Sequence, residues 1–135
     1  MEPVRVLFVD DEASIRVTMP EILKQHGFSV AAVGTVADAL AEITSAQFDV
    51  LISDLNMGHP GDGFTVVSAM RRTQPNCVTL ILTGFPRLDT ELEAIRSQVD
   101  GYLTKPAQIP TLVSLIQEKL QQRNSGTSAT TKRIT

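Results

Sequence analysis

Five short apolar runs, separated by stretches of helical period, constrain this 135-residue chain more than anything else in it. The runs are VRVLFV (4–9), SVAAV (29–33), VLIS (50–53), VTLIL (78–82) and the weaker GYLT (101–104). Several are apolar on both faces rather than alternating, as strands of a sheet covered on both sides are. Between them the period becomes helical. Ile15, Met19, Ile22 and Leu23 share one stripe, as do Val36, Ala39, Leu40 and Ile43. Phe64, Val67 and Met70 mark a third helix, and Leu88, Leu92, Ile95 and Val99 a fourth. The last helix is the clearest, with Ile109, Leu112, Val113, Ile116 and Leu120 on one face. Thr35 is placed to cap the second helix, Gly27 to end the first, and TQPN to end the third. Pro20 falls inside the first helical pattern, where a missing N–H predicts a bend near residues 17–20.

Strands alternating with helices in this way predict an α/β domain, a doubly wound parallel sheet with helices on both faces. The length and a 42% hydrophobic fraction suit one such domain over residues 1–122, followed by the polar RNSGTSATTKRIT (123–135) as a flexible tail or the beginning of a linker. With no Trp, one Tyr and five Phe, the core is aliphatic. A net charge of −3, with no Lys/Arg block before a short KR in the tail, excludes an extended nucleic-acid surface. Cys77 has no cysteine to pair with and no metal-binding companions, so it reads as a small buried side chain. MEPVRVLFVDDE has acids on both sides of a short apolar run, unlike a signal peptide or a membrane span, and a soluble cytoplasmic protein is expected.

In open α/β sheets, sites form beyond the carboxyl ends of the strands. The first strand is followed by Asp10, Asp11 and Glu12, the third by Asp54, the fourth by Thr83 and Gly84, and the fifth by Lys105 and Pro106. If the strand order is 2-1-3-4-5, the first and third strands are neighbours, and the three aspartates converge with Thr83 and Lys105 beside them. One lysine offsets only one of three carboxylates. A hard divalent cation would settle the rest, and oxygen ligands without His or Cys point to Mg²⁺. A carboxylate beside a cation, a lysine and a hydroxyl can attack a phosphoryl group and become an aspartyl phosphate. Taken singly, each residue has a plainer reading: Asp10 or Asp11 as a helix cap, Asp54 as turn punctuation.

The segments VLFVDDEASIR, DVLISDLNM, LILTG and GYLTKP together resemble the receiver domain of two-component response regulators, over residues 4–121 and in the right order. The resemblance implies the five-stranded 2-1-3-4-5 order with five helices. It matches Asp54 to the phosphoacceptor, Asp10 and Asp11 to the Mg²⁺-binding acidic pair with Asp11 the direct ligand, and Asn56 to the position whose backbone carbonyl completes the metal shell. Thr83 and Lys105 match the switch hydroxyl and the phosphate-pairing lysine. Tyr102 matches an aromatic that turns inward on phosphorylation, and Pro106 a cis peptide bond that helps aim Lys105. It further implies a histidine kinase or histidine phosphotransfer protein as donor, and a switching face made by the helix over 88–99, the fifth strand and the last helix, with Leu115 in it. The chain is then a phosphoacceptor signalling domain that assists its own phosphorylation and dephosphorylation rather than an enzyme.

Two features depart from the family pattern. Gly58 and His59 precede Pro60 where proline usually follows the methionine directly, which predicts a longer and more flexible loop, with His59 exposed to solvent. Pro20 alters the first helix, a face that kinases of this family commonly use. Two other functions compete: a degenerate receiver serving only as a binding module, and a small phosphatase with an Asp nucleophile. The second commonly needs another acid two residues on, where this chain has Asn56.

Overall fold

The computed structural model describes residues 2–84 and 98–134, with side chains described through residue 124. Five strands form one parallel sheet: β1 (Arg5–Val9), β2 (Ser29–Val33), β3 (Val50–Asp54), β4 (Val78–Thr83) and β5 (Gly101–Thr104). Their order is β2-β1-β3-β4-β5, as the resemblance implies. Four helices join or follow them among the described residues: α1 (Ala13–Gln25), α2 (Val36–Ser45), α3 (Asp62–Thr73) and α4 (Ile109–Ile134). The helix expected over 88–99 lies outside the described residues except for its end, where Val99 is buried.

Successive side chains of a strand point to opposite faces, so doubly apolar strands must feed two cores. Leu7, Val9, Leu51 and Ile81 pack with Ala39 and Ile43 of α2 and Val66, Val67 and Met70 of α3. The intervening Val6, Phe8, Val50, Ile52, Leu80 and Leu82 pack with Leu23 of α1 and Leu112, Val113 and Ile116 of α4. The central strands β1, β3 and β4 are buried almost throughout, while the edge strands β2 and β5 are half-exposed. That difference is why GYLT is the weakest apolar run.

The punctuation holds. Thr35 accepts a hydrogen bond from Asp38 N–H (3.1 Å) at the start of α2. Gly27 follows α1 with φ 93°, a left-handed conformation that glycine adopts without strain. Helix α1 runs continuously through Pro20, whose ring is buried. The last helix extends through Ile134, over the stretch whose composition predicts a flexible tail. The last of its apolar stripe on the core is Leu120. Beyond that, Arg123 donates to the carbonyls of Asn76 (2.9 Å) and Asp49 (3.3 Å), fastening the helix to the amino ends of β3 and β4. None of the described helices is long and apolar enough to cross a membrane.

Candidate functional site

The strand order places β3 between β1 and β4, with Val9 beside Ser53 and Asp54 beside Leu82. The residues that leave the carboxyl ends of β1 and β3 therefore meet. Asp10, Asp11 and Asp54 each offer a carboxylate oxygen, all within 4.8 Å of one another. Asp10 is fully buried, Asp54 is 7% exposed, and Asp11 is exposed to solvent.

Lys105 reaches this cluster from just beyond β5. Its Nζ lies 2.8 Å from Asp10 Oδ2 and 3.2 Å from Asp54 Oδ2. Burial favours the neutral amine, but the hydrogen bond and charge of Asp10, and then those of Asp54, outweigh it and hold Lys105 above the ordinary lysine range. Asp54 shifts upward too. Burial is the main cause, opposed by Lys105 and by an Asn56 backbone N–H, and reinforced by the negative charge of Asp10. The Lys105–Pro106 peptide is cis, as the resemblance implies.

Asp10 is committed on every side. Its Oδ1 accepts from Glu12 N–H (2.9 Å), its Oδ2 from Lys105, its own N–H donates to Val33 C=O (3.1 Å), and its carbonyl accepts from Arg16 Nη1 (2.9 Å). The carboxylate bond to Glu12 is the short turn that an aspartate makes two residues ahead of itself. Glu12, at the cap position of α1, makes no side-chain cap of its own. The plainer reading of Asp10 as a helix cap therefore does not hold: its carboxylate binds the Glu12 N–H, ahead of the helix, and the Lys105 ammonium.

Thr83 ends β4 with its Oγ1 buried and without a hydrogen-bond partner among the described residues. A buried hydroxyl in that state costs stability, so its place is not explained by packing alone. Tyr102 on β5 pairs in register with Ile81 and packs, half-buried, on the same core. Leu115 is half-buried, lies near Gly101, and lines a shallow cleft with Tyr102 and Leu103.

The loop after Asp54 is hydrogen-bonded to itself. Asn56 Oδ1 accepts from Gly61 N–H (3.0 Å), Asp62 Oδ2 from His59 N–H (3.0 Å), and Leu55 C=O from Gly63 N–H (2.8 Å). Gly58 (φ 99°) and Gly61 (φ 83°) supply the two left-handed turns. Asn56 thus has a side-chain role that sequence reasoning did not assign, and its side chain is exposed, as is His59. Gly63 lies so close to the backbone of Asp54 and Leu55 that any side chain there would collide. Arg16 stands within the quoted VLFVDDEASIR segment but received no role. Its signal is visible only when the chain is folded.

The donor set suits a small hard cation. One ammonium among three carboxylates leaves an excess of negative charge, and the ligand atoms are all oxygens. Oxygens opposite one another on an octahedral Mg²⁺ at about 2.1 Å would be about 4.2 Å apart, which the 4.8 Å cluster accommodates.

A family model for the response regulator receiver domain matches residues 6–117, and the chain belongs to that family. The transcriptional regulatory protein PrrA of Mycobacterium bovis is 30% identical over 131 residues, covering 97% of this chain and 56% of PrrA. The response regulator protein FleR of Pseudomonas aeruginosa is 31% identical over 113 residues, 83% of this chain and 24% of FleR. The chain thus spans about half the length of the first relative and a quarter of the second. Among solved structures, a response regulator receiver protein from Sinorhizobium medicae superposes with a TM-score of 0.79 at 27% identity, covering 90% of this chain and 98% of that one. This chain is a receiver domain, the phosphoacceptor module of two-component signalling.

Proposed function

We propose that the domain accepts a phosphoryl group on Asp54, in the presence of Mg²⁺, from the phosphohistidine of a sensor histidine kinase or a histidine phosphotransfer protein. The observation that carries this reading is Asp54 at the end of β3, with Lys105 Nζ 3.2 Å from Oδ2 and Asp10 and Asp11 in the same cluster. Asp11, Asp54 and the backbone carbonyl of Asn56 would hold the cation, with Asp10 contributing charge, since both its oxygens already have protein donors. When bound, Mg²⁺ supplies neutralising charge to the phosphoryl oxygens and favours the ionised form of Asp54.

In the transfer, an Asp54 oxygen forms a bond to phosphorus as the phosphorus–nitrogen bond breaks, and the departing imidazole takes up a proton. Lys105 shifts from the carboxylates to a phosphoryl oxygen, and Thr83 Oγ1 donates its unused hydrogen to another. Movement of Thr83 opens room on its face of the sheet, into which Tyr102 turns. The changed surface includes β5 and α4, where Tyr102 and Leu115 share a cleft. Residues 1–122 act as this switching unit, with 123–135 as a tail or linker. The domain is a cytoplasmic signalling acceptor rather than a turnover enzyme.

Incubation with Mg²⁺ and a small acyl phosphate, followed by intact mass measurement, tests this. One phosphoryl group is expected on the wild type and none on Asp54→Asn. Equal uptake by both, or none by the wild type, overturns the assignment.

A further inference from the structure

Arg16 sits in the first turn of α1, where its N–H bonds to Glu12 C=O (3.0 Å), yet its half-buried side chain turns back towards the acidic loop. Nη1 donates to the carbonyl of Asp10 at 2.9 Å. That carbonyl belongs to the peptide unit joining Asp10 to Asp11, which is planar and rigid. Fixing its oxygen fixes the plane from which the Asp11 N–Cα bond leaves, and so restricts where the Asp11 Cα–Cβ bond can point. The preceding peptide is already held by the Asp10 N–H bond to Val33 C=O (3.1 Å). Among the described residues the Asp11 carboxylate has neither a hydrogen bond nor an ion pair, so only its backbone aims it.

The same guanidinium lies against Gly34, the residue directly after β2. A methyl group there would stand 2.6 Å from Nη1 and 2.9 Å from Cζ. Gly34 is not among the glycines with positive φ, so its backbone does not need glycine. The space above it does: the guanidinium fills it. The turn after β2 thus supports the acidic loop twice, through Val33 C=O and through the seat that Gly34 leaves for Arg16.

We propose that Arg16, seated on Gly34, is a positioning residue for the cation site: it holds the Asp10–Asp11 peptide so that Asp11 points at the ligand cluster. This rests on the cation reading given above. Arg16 touches no phosphoryl group and acts only through the Asp10 carbonyl.

Mg²⁺ affinity by titration calorimetry, together with the melting temperature in EDTA, tests it. Removal of an outer partner of a metal ligand typically weakens binding by about tenfold or more, and that loss is expected for Arg16→Ala. Gly34→Ala keeps the arginine and its charge but dislodges the guanidinium, with no demand on φ, and is expected to weaken Mg²⁺ in the same direction. The double variant should bind no more weakly than Arg16→Ala alone, because both remove one interaction. Melting in EDTA should move little in Gly34→Ala. If Arg16→Ala fails to fold, the Gly34→Ala affinity decides. Unchanged Mg²⁺ affinity in Gly34→Ala, or additive losses in the double variant, overturns the proposal while wild-type binding leaves the cation reading intact. A wild type that takes up no Mg²⁺ overturns both.

Discussion

At the amino ends of β3 and β4, the buried Gln74 side chain donates to the carbonyls of Ile43 (3.0 Å) and Ala46 (2.7 Å) and accepts from Phe48 N–H (2.8 Å). Beside it Asp49 receives Arg5 N–H (2.9 Å), and Arg123 bonds to two backbone carbonyls. At the carboxyl ends of the same two strands, Thr83 Oγ1 is buried without a described partner, and Asp54 is pushed towards its protonated form. One end of the sheet satisfies its buried polar groups, and the other leaves the Thr83 hydroxyl without a described partner and holds Asp54 where burial disfavours its charge. Buried polar groups cost stability unless paired, so packing alone does not account for the unpartnered Thr83 hydroxyl or the buried Asp54 carboxylate. The clefts at the satisfied end, one of about 640 Å³ lined by Gln47, Asp49, Gln74 and Arg123 among others, lie away from the acidic cluster.

Substitutions that exchange the behaviour of the two ends test this contrast. The largest effect is expected at the satisfied end. Gln74→Leu leaves three backbone groups without their partner, at about 1–3 kcal/mol each where water cannot replace it, so urea unfolding should show a loss of about 4 kcal/mol. A loss well under this would mean that water already serves these groups. Lys105→Ala comes next. It strips the fully buried Asp10 of its ammonium and should cost about 3 kcal/mol in EDTA, with part of the loss returned when Mg²⁺ is added. Stability that is indifferent to Lys105 would remove the ion pair from the account of the site.

The smallest effect has the opposite sign. Folding raises Asp54 above its ordinary range, so its protonated form is the one that folding favours. That contribution is fully present below the unfolded carboxylate value and is lost as pH rises through the folded one. At neutral pH without a divalent cation, the ionised carboxylate therefore opposes folding. Asp54→Asn should melt about 3 °C higher there, with the gain shrinking towards pH 4. A lower melting temperature for Asp54→Asn at neutral pH would show that the Lys105 pair outweighs burial.

Cys77 illustrates the same physics without function. Burial is the main reason its thiol is pushed up to about 12, and the side chain packs as a small apolar group in the core of α2 and α3. Its place was legible from the sequence because it stands alone and next to an apolar run.

What the sequence by itself determined was the five strands, the helical stretches among the described residues and the residues at the strand ends. VRVLFV, VLIS and VTLIL are apolar on both faces, and only a central strand between two helical layers can bury both. Asp10, Asp54, Thr83 and Lys105 followed from their positions after those strands, and Thr35 and Gly27 from local backbone chemistry. The tertiary structure decided whatever depends on distance between elements. Gly34 matters because a guanidinium from α1 rests on it, and Gly63 because it touches the backbone of Asp54 and Leu55. Gln74 matters because it meets α2 and the start of β3, and Leu115 because it packs near Gly101. None of these contacts leaves a periodic trace along the chain. Periodicity records which face a residue belongs to, whereas a fit between two elements is defined only once both are in place.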